Sequence, residues 1–157
     1  MPDDPARRSR PFTAAGVLFF DSTGRLMLVR PTYKTGWDIP GGYVEQNESP
    51  LAACHREVHE ELGIAPPVGR LLVVDWAPHP DEGDKVLYVF DGGELAPGEL
   101  AALHLDPEEL AEYVFHTVEE ANGVLVPRLA RRVAAAVRAR RDGLTLYLEH
   151  GQEPDHG

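Results

Sequence analysis

Hydrophobic positions along this chain fall into short runs punctuated by glycine, proline and acidic turns, with two longer stretches of helical spacing among them. Residues 13–20 (TAAGVLFF) and 25–30 (RLMLVR) predict a strand pair joined by the turn Asp21, Ser22, Thr23 and Gly24. Short strands are expected at 37–39 and 43–45, on either side of Gly41 and Gly42. Leu51, Cys54, Val58 and Leu62 then recur at helical spacing and predict a buried stripe. Ser49 suits the N-cap of that helix and Pro50 its first position, while Gly63 can take the left-handed conformation that ends it. Beyond it, 70–76 and 85–90 read as paired strands, 103–109 as a connecting segment and 112–116 as another strand. Residues 126–141 predict a second helix burying Leu129, Val133 and Val137, and 144–148 a final strand. The mixture is an α/β fold. Residues 13–150 are expected to form a single domain, flanked by a flexible N-terminal arm (1–12) and a frayed tail (151–157).

Composition narrows the picture a little. A chain of 157 residues is long enough for one proper core. It contains no apolar run of membrane-spanning length, its N-terminus does not read as a signal peptide, and its single cysteine excludes an internal disulfide. A cytoplasmic protein is the expectation. The formal net charge of -11 argues against DNA and makes RNA an unfavoured partner, because phosphate backbones are held by basic surface. A nucleotide is still compatible, since a metal ion can bridge acid to acid.

The charge placement within the first helix changes the picture more. Glu57, Glu60 and Glu61 are spaced i, i+3 and i+4, inside an arc of about 100°. Glu57 and Glu61 repel as an i, i+4 pair at a few tenths of a kcal/mol. Glu60 and Glu61 also sit in the last turn, where the helix dipole disfavours anions by roughly 0.3–1 kcal/mol each. A solvated acidic face is the plain alternative. Carboxylates gathered against two unfavourable terms point instead to a hard divalent cation, Mg²⁺ above all and Mn²⁺ as a substitute.

Gly42, Glu48, and the run Arg56, Glu57, Val58, Glu60, Glu61, Gly63 and Ile64 together resemble the Nudix box, G-x5-E-x7-R-E-U-x-E-E-x-G-U, where U is a bulky aliphatic. Trp37, Asp38, Ile39, Pro40 and Gly41 look like the entry to that box. The resemblance to the Nudix (MutT-like) hydrolase family implies an αβα sandwich, a mixed curved sheet between helices with the box as loop–helix–loop. It implies hydrolysis of the pyrophosphate bond in a nucleoside diphosphate linked to another group, releasing a nucleoside monophosphate. The substrate would be a nucleoside triphosphate or oxidised nucleotide, or an ADP-ribose-like compound. An RNA 5′-end pyrophosphohydrolase and a non-catalytic nucleotide-sensing domain are the alternatives, and a homodimer is compatible with the family.

The resemblance also assigns roles. Glu57, Glu60 and Glu61, with Arg56, match the catalytic core; the three glutamates and the carbonyl of Gly41 match metal ligands. Within that core Arg56 is better read as structural, its fork holding Glu57 or Glu48 in position. Glu48 and Gly42 would support the ligands from behind. A further acid usually comes from outside the box, and Glu109 and Glu112 are the candidates. Arg30 and Lys34 could reach phosphates and Trp37 could stack on a base. His55 and His59 read as helix-surface residues, Cys54 as a small core residue, and the arginines of the second helix as a solvated face or an RNA contact.

Overall fold

The computed structural model describes residues 2–155. Its frame is a seven-stranded mixed sheet built from β1 (Phe12–Phe20), β2 (Leu26–Pro31), β3 (Gly41–Tyr43), β4 (Leu71–Trp76), β5 (Lys85–Glu94), β6 (Leu110–His116) and β7 (Leu146–Glu149). The order is β6-β2-β1-β5-β4-β7, with β3 paired to β1. β1 runs parallel to β5 and β4 to β7; the remaining pairs are antiparallel.

Strand β1 has neighbours above and below, so its residues alternate between two cores and read as one apolar run. Leu18 and Phe20 join Leu28, Leu72 and Val89 under the helices α3 (Val118–Val124) and α4 (Pro127–Asp142). Val17 and Phe19 join Met27, Val29 and the Cys54, Val58, Leu62 stripe of α1 (Pro50–Leu62) on the other face. The short α2 (Pro97–Ala102) follows β5. This is the expected αβα sandwich. No helix among the described residues is long and apolar enough to cross a membrane.

Several expectations are corrected. Residues 37–39 form no strand; Asp38 makes a lone bridge to Val29, because Lys34 and the Ile39 amide engage its side chain in a loop. The strand after it is Gly41–Tyr43, since the two glycines themselves pair with Gly16 and Ala15. Leu51 is exposed rather than in the helix stripe. Phe12, placed in the arm, opens β1, and Pro5–Arg7 form a 3₁₀ turn capped by Asp4. Gly151, placed in the frayed tail, is buried and donates its amide to Asp75, while Gln152 bridges Glu149. Residues 156 and 157 of that tail lie outside the described residues. The hydrophobic pattern predicts neither of the short helices α2 and α3.

Candidate active site

The box helix is fixed at both ends by the residues expected to do so. The Ser49 hydroxyl accepts from the Ala52 amide at 3.1 Å, and Gly63 takes φ 70°. The last turn therefore ends with its carbonyls free, and a distant segment uses them. The amide of Asp106 donates to the Glu61 carbonyl at 3.1 Å, and that of His104 to the Leu62 carbonyl at 2.9 Å. Asp106 in turn accepts from the amides of Glu109 and Leu110, and Thr32 donates to the Glu109 carbonyl. These bonds carry Glu109 to the helix end. Carboxylate oxygens of Glu57, Glu61 and Glu109 all lie within 4.8 Å of one another.

The electrostatics of the group are strained. Glu61 is buried, and its pKa is pushed up to about 9 by burial first, then by a hydrogen bond with Glu57 and the charges of Glu57 and Glu109, with the Gly41 amide opposing. The Glu109 carboxyl is raised by burial and by Glu57, Asp106 and Glu60. A hard cation would remove both sources of strain at once, by neutralising the repulsion and by replacing lost solvation with oxygen coordination. The donor set, all oxygen, fits a divalent metal of the Mg²⁺ type.

Arg56 is the hub behind this set. Its Nε and Nη2 grip both oxygens of Glu48 at 2.7 and 2.9 Å, and Nη1 donates to Glu57 Oε1 at 2.9 Å. Nη2 also donates to the Tyr43 carbonyl at 3.1 Å. The two-point grip holds the Glu48 carboxyl well down, to about 2. Arg56 thus ties Glu48, Glu57 and the Tyr43 carbonyl together, which is the geometry of a positioning residue.

The glycines permit the close approach. A Cβ on Gly42 would stand 2.7 Å from the Glu57 carboxylate. Gly41 has φ 144°, and a Cβ there would collide with the Ala15 carbonyl. Both also line a cavity of about 260 Å³, together with Tyr33, Lys34, Tyr43 and Lys85. Gly42, against which the Glu57 carboxylate packs, forms part of this wall, so the cavity adjoins the carboxylates.

Other sequence candidates are placed elsewhere. Glu60 is exposed and bonded to Arg56 Nη1 at 3.3 Å, outside the three-carboxylate group though still felt by Glu109. Glu112 sits across the β2–β6 ladder from Arg30 and pairs with it at 3.2 Å, so neither faces the cluster. Trp37 packs against the α3/α4 core, edge-on to His116, and is not among the cavity residues. Lys34 does line the cavity, held by Asp38 at 2.6 Å. Cys54 is buried, its thiol pushed up to about 12 by burial first. Sequence reasoning missed Tyr43, Lys85 and Arg132 as cavity residues, and no local motif marks them.

A family model described as NUDIX domain matches residues 10–139. The chain belongs to the Nudix family. Among characterised relatives of this Nudix chain is an RNA pyrophosphohydrolase of Halorhodospira halophila, 39% identical over 51 residues that cover 32% of this chain and 28% of the relative. Another is diphosphoinositol polyphosphate phosphohydrolase 2 of Rattus norvegicus, 45% identical over 47 residues, or 30% and 26% of the two chains. The matched part thus spans under a third of either relative. Among solved structures, the MutT protein from Methanosarcina mazei Go1 superposes with a TM-score of 0.69 at 26% identity, over 87% of this chain and 98% of that one. A UDP-X diphosphatase shares the Nudix fold with a TM-score of 0.70 at 20% identity, over 92% and 70%.

Proposed function

We propose that this Nudix protein hydrolyses the pyrophosphate bond of a nucleoside diphosphate linked to another group, using a divalent cation. The products would be a nucleoside monophosphate and a phosphorylated remainder. The carrying observation is the Glu57, Glu61 and Glu109 group, set within 4.8 Å beside a cavity whose wall is the Gly41 and Gly42 turn. Glu57, Glu61 and Glu109 would hold Mg²⁺ or Mn²⁺, with Glu60 and the Gly41 carbonyl as further oxygen donors. A bound cation of that kind neutralises phosphate oxygens and lowers the pKa of a coordinated water. Arg56, anchored on Glu48, keeps the Glu57 carboxylate aimed; Lys34, paired with Asp38, and Lys85, paired with Glu82, line the cavity.

The RNA-processing reading draws on the names of curated relatives. Against it, the α4 arginines are engaged within the chain. Arg128 donates to the Pro78 carbonyl, Arg131 to that of His150, and Arg132 pairs with Asp75. Arg138, Arg140 and Arg141 pair with Glu153, Asp91 and Asp142. The small-nucleotide reading is therefore preferred.

The test is a panel of triphosphates, ADP-ribose, nucleoside diphosphate sugars, dinucleoside polyphosphates and 5′-triphosphorylated RNA, each with and without Mg²⁺, with Glu61→Gln as control. Mg²⁺-dependent release of a nucleoside monophosphate by wild type alone is expected. Folded protein that binds metal and cleaves nothing would favour a nucleotide sensor instead.

A further inference from the structure

We propose that Arg132, braced by Asp75, makes this chain selective for nucleotides whose base presents two adjacent hydrogen-bond acceptors, the arrangement found in a 6-oxopurine. The inference rests on the pyrophosphohydrolase reading and names the half of the substrate that reading leaves open.

The cavity beside the carboxylates measures about 260 Å³. Sites for drug-sized ligands run roughly 300–1,000 Å³, so this one takes a single base-sized group. Ile39, Leu87, Val89 and Leu129 give it apolar walls suited to the faces of a flat heteroaromatic ring. One buried cation also lines it, Arg132 of α4, whose side chain is only 8% exposed.

Arg132 is only partly used. Its Nε donates to Asp75 Oδ2 at 2.6 Å. Asp75 is fully buried, and its other oxygen accepts from the Gly151 amide at 3.0 Å. Both carboxylate oxygens are thereby engaged and the charge of Arg132 is balanced, while the side chain is held from behind. The two terminal nitrogens, Nη1 and Nη2, have no acceptor among the described residues. Arg132 is itself a lining residue of the cavity, and neither terminal nitrogen is among the side-chain atoms sealed from solvent without a partner. A guanidinium fork fixed from behind suits a planar partner with two acceptors.

The chemistry of the bases then decides. O6 and N7 of a 6-oxopurine match the guanidinium fork as a bidentate pair. Adenine keeps N7 but presents an N6 amino donor beside it, which would set N–H against N–H. Uracil and thymine present no two adjacent acceptors; cytosine does, at N3 and O2, but its O2 stands beside the glycosidic bond, where the ribose crowds the fork. Because Asp75 already neutralises Arg132 and the walls are apolar, a free phosphate fits less well than a neutral ring.

The test is equilibrium binding of GMP, IMP, AMP and the monophosphate of 2,6-diaminopurine riboside, without metal, to wild type and Arg132→Lys. GMP and the diaminopurine nucleotide differ in the 6-substituent that the fork would read. GMP and IMP are expected to bind about tenfold or more tighter than the other two. In Arg132→Lys the compact ammonium can still pair with Asp75 but cannot keep the fork, so the preference should shrink to about twofold or less. Equal binding of GMP and the diaminopurine nucleotide by wild type overturns the proposal. So does binding of none of the four, or an undiminished preference in a variant that still melts cooperatively. Should Arg132→Lys fail to fold, the wild-type comparison decides alone. Since no turnover is read, failure here is distinct from failure of the hydrolase reading.

Discussion

Replacing Glu61 by glutamine should stabilise the metal-free protein while destroying its use for a metal. Glu61 is 5% exposed, and its pKa stands at about 9 against an ordinary value of 4.5. At pH 7 the folded, metal-free chain therefore holds this carboxyl protonated, while the unfolded chain ionises it. Folding takes up a proton at Glu61, so the contribution of this residue to stability is greatest below pH 4.5, falls as pH rises from 4.5 to 9, and levels off above 9. Each pH unit in that window costs about 1.4 kcal/mol, which makes the penalty on the order of 3 kcal/mol at pH 7. Glutamine does not titrate, and its amide can donate to Glu57 as the protonated acid does. Urea unfolding with chelator at pH 5, 7 and 8.5 reads the effect. The variant should match wild type near pH 5 and exceed it progressively above. On adding Mg²⁺ the order should reverse, because only wild type can release its proton to the ion. A metal-free variant no more stable than wild type at pH 8.5 would refute the reasoning.

Other consequences follow from the same geometry. Gly42→Ala puts a Cβ 2.7 Å from the Glu57 carboxylate, and should lower turnover at least about tenfold with a change in melting free energy under about 2 kcal/mol; kinetics and calorimetry on one preparation check both. Arg56→Lys loses the two-point grip on Glu48 and should lower kcat more than it raises KM, as steady-state kinetics would show. Glu109→Gln should weaken metal binding about tenfold or more, whereas Glu112→Gln, which breaks only an exposed pair with Arg30, should leave it unchanged by titration. The buried Cys54 thiol should resist a thiol reagent at pH 8 until the chain is unfolded, as a timed colour assay would show.

What the sequence made legible was local. Ser49, Pro50 and Gly63 act within a few residues of themselves, so the box helix and the proximity of Glu57 to Glu61 could be read directly. Glu109 could not be separated from Glu112 that way. Both stand near the same strand, and only the amide of Asp106 on the Glu61 carbonyl, with the Arg30–Glu112 register, sends one to the cluster and the other to the sheet edge. The helix α4 shows the same limit. Its arginines look alike as a charged face, yet Arg132 turns inward because Asp75, fifty-seven positions earlier, waits on β4. Trp37 reads as a stacking ring because aromatic residues before a glycine turn suit a base; the core under α3 and α4 claims it instead.

The claim on which the account stands is that Glu57, Glu61 and Glu109 form one cation site. Titration of Mn²⁺ into wild type, Glu61→Gln and Glu109→Gln, followed through the resonance of the free ion, tests it most directly. Binding in wild type, weakened at least about tenfold by either substitution, is the predicted result. Mn²⁺ bound equally well by all three proteins would contradict it.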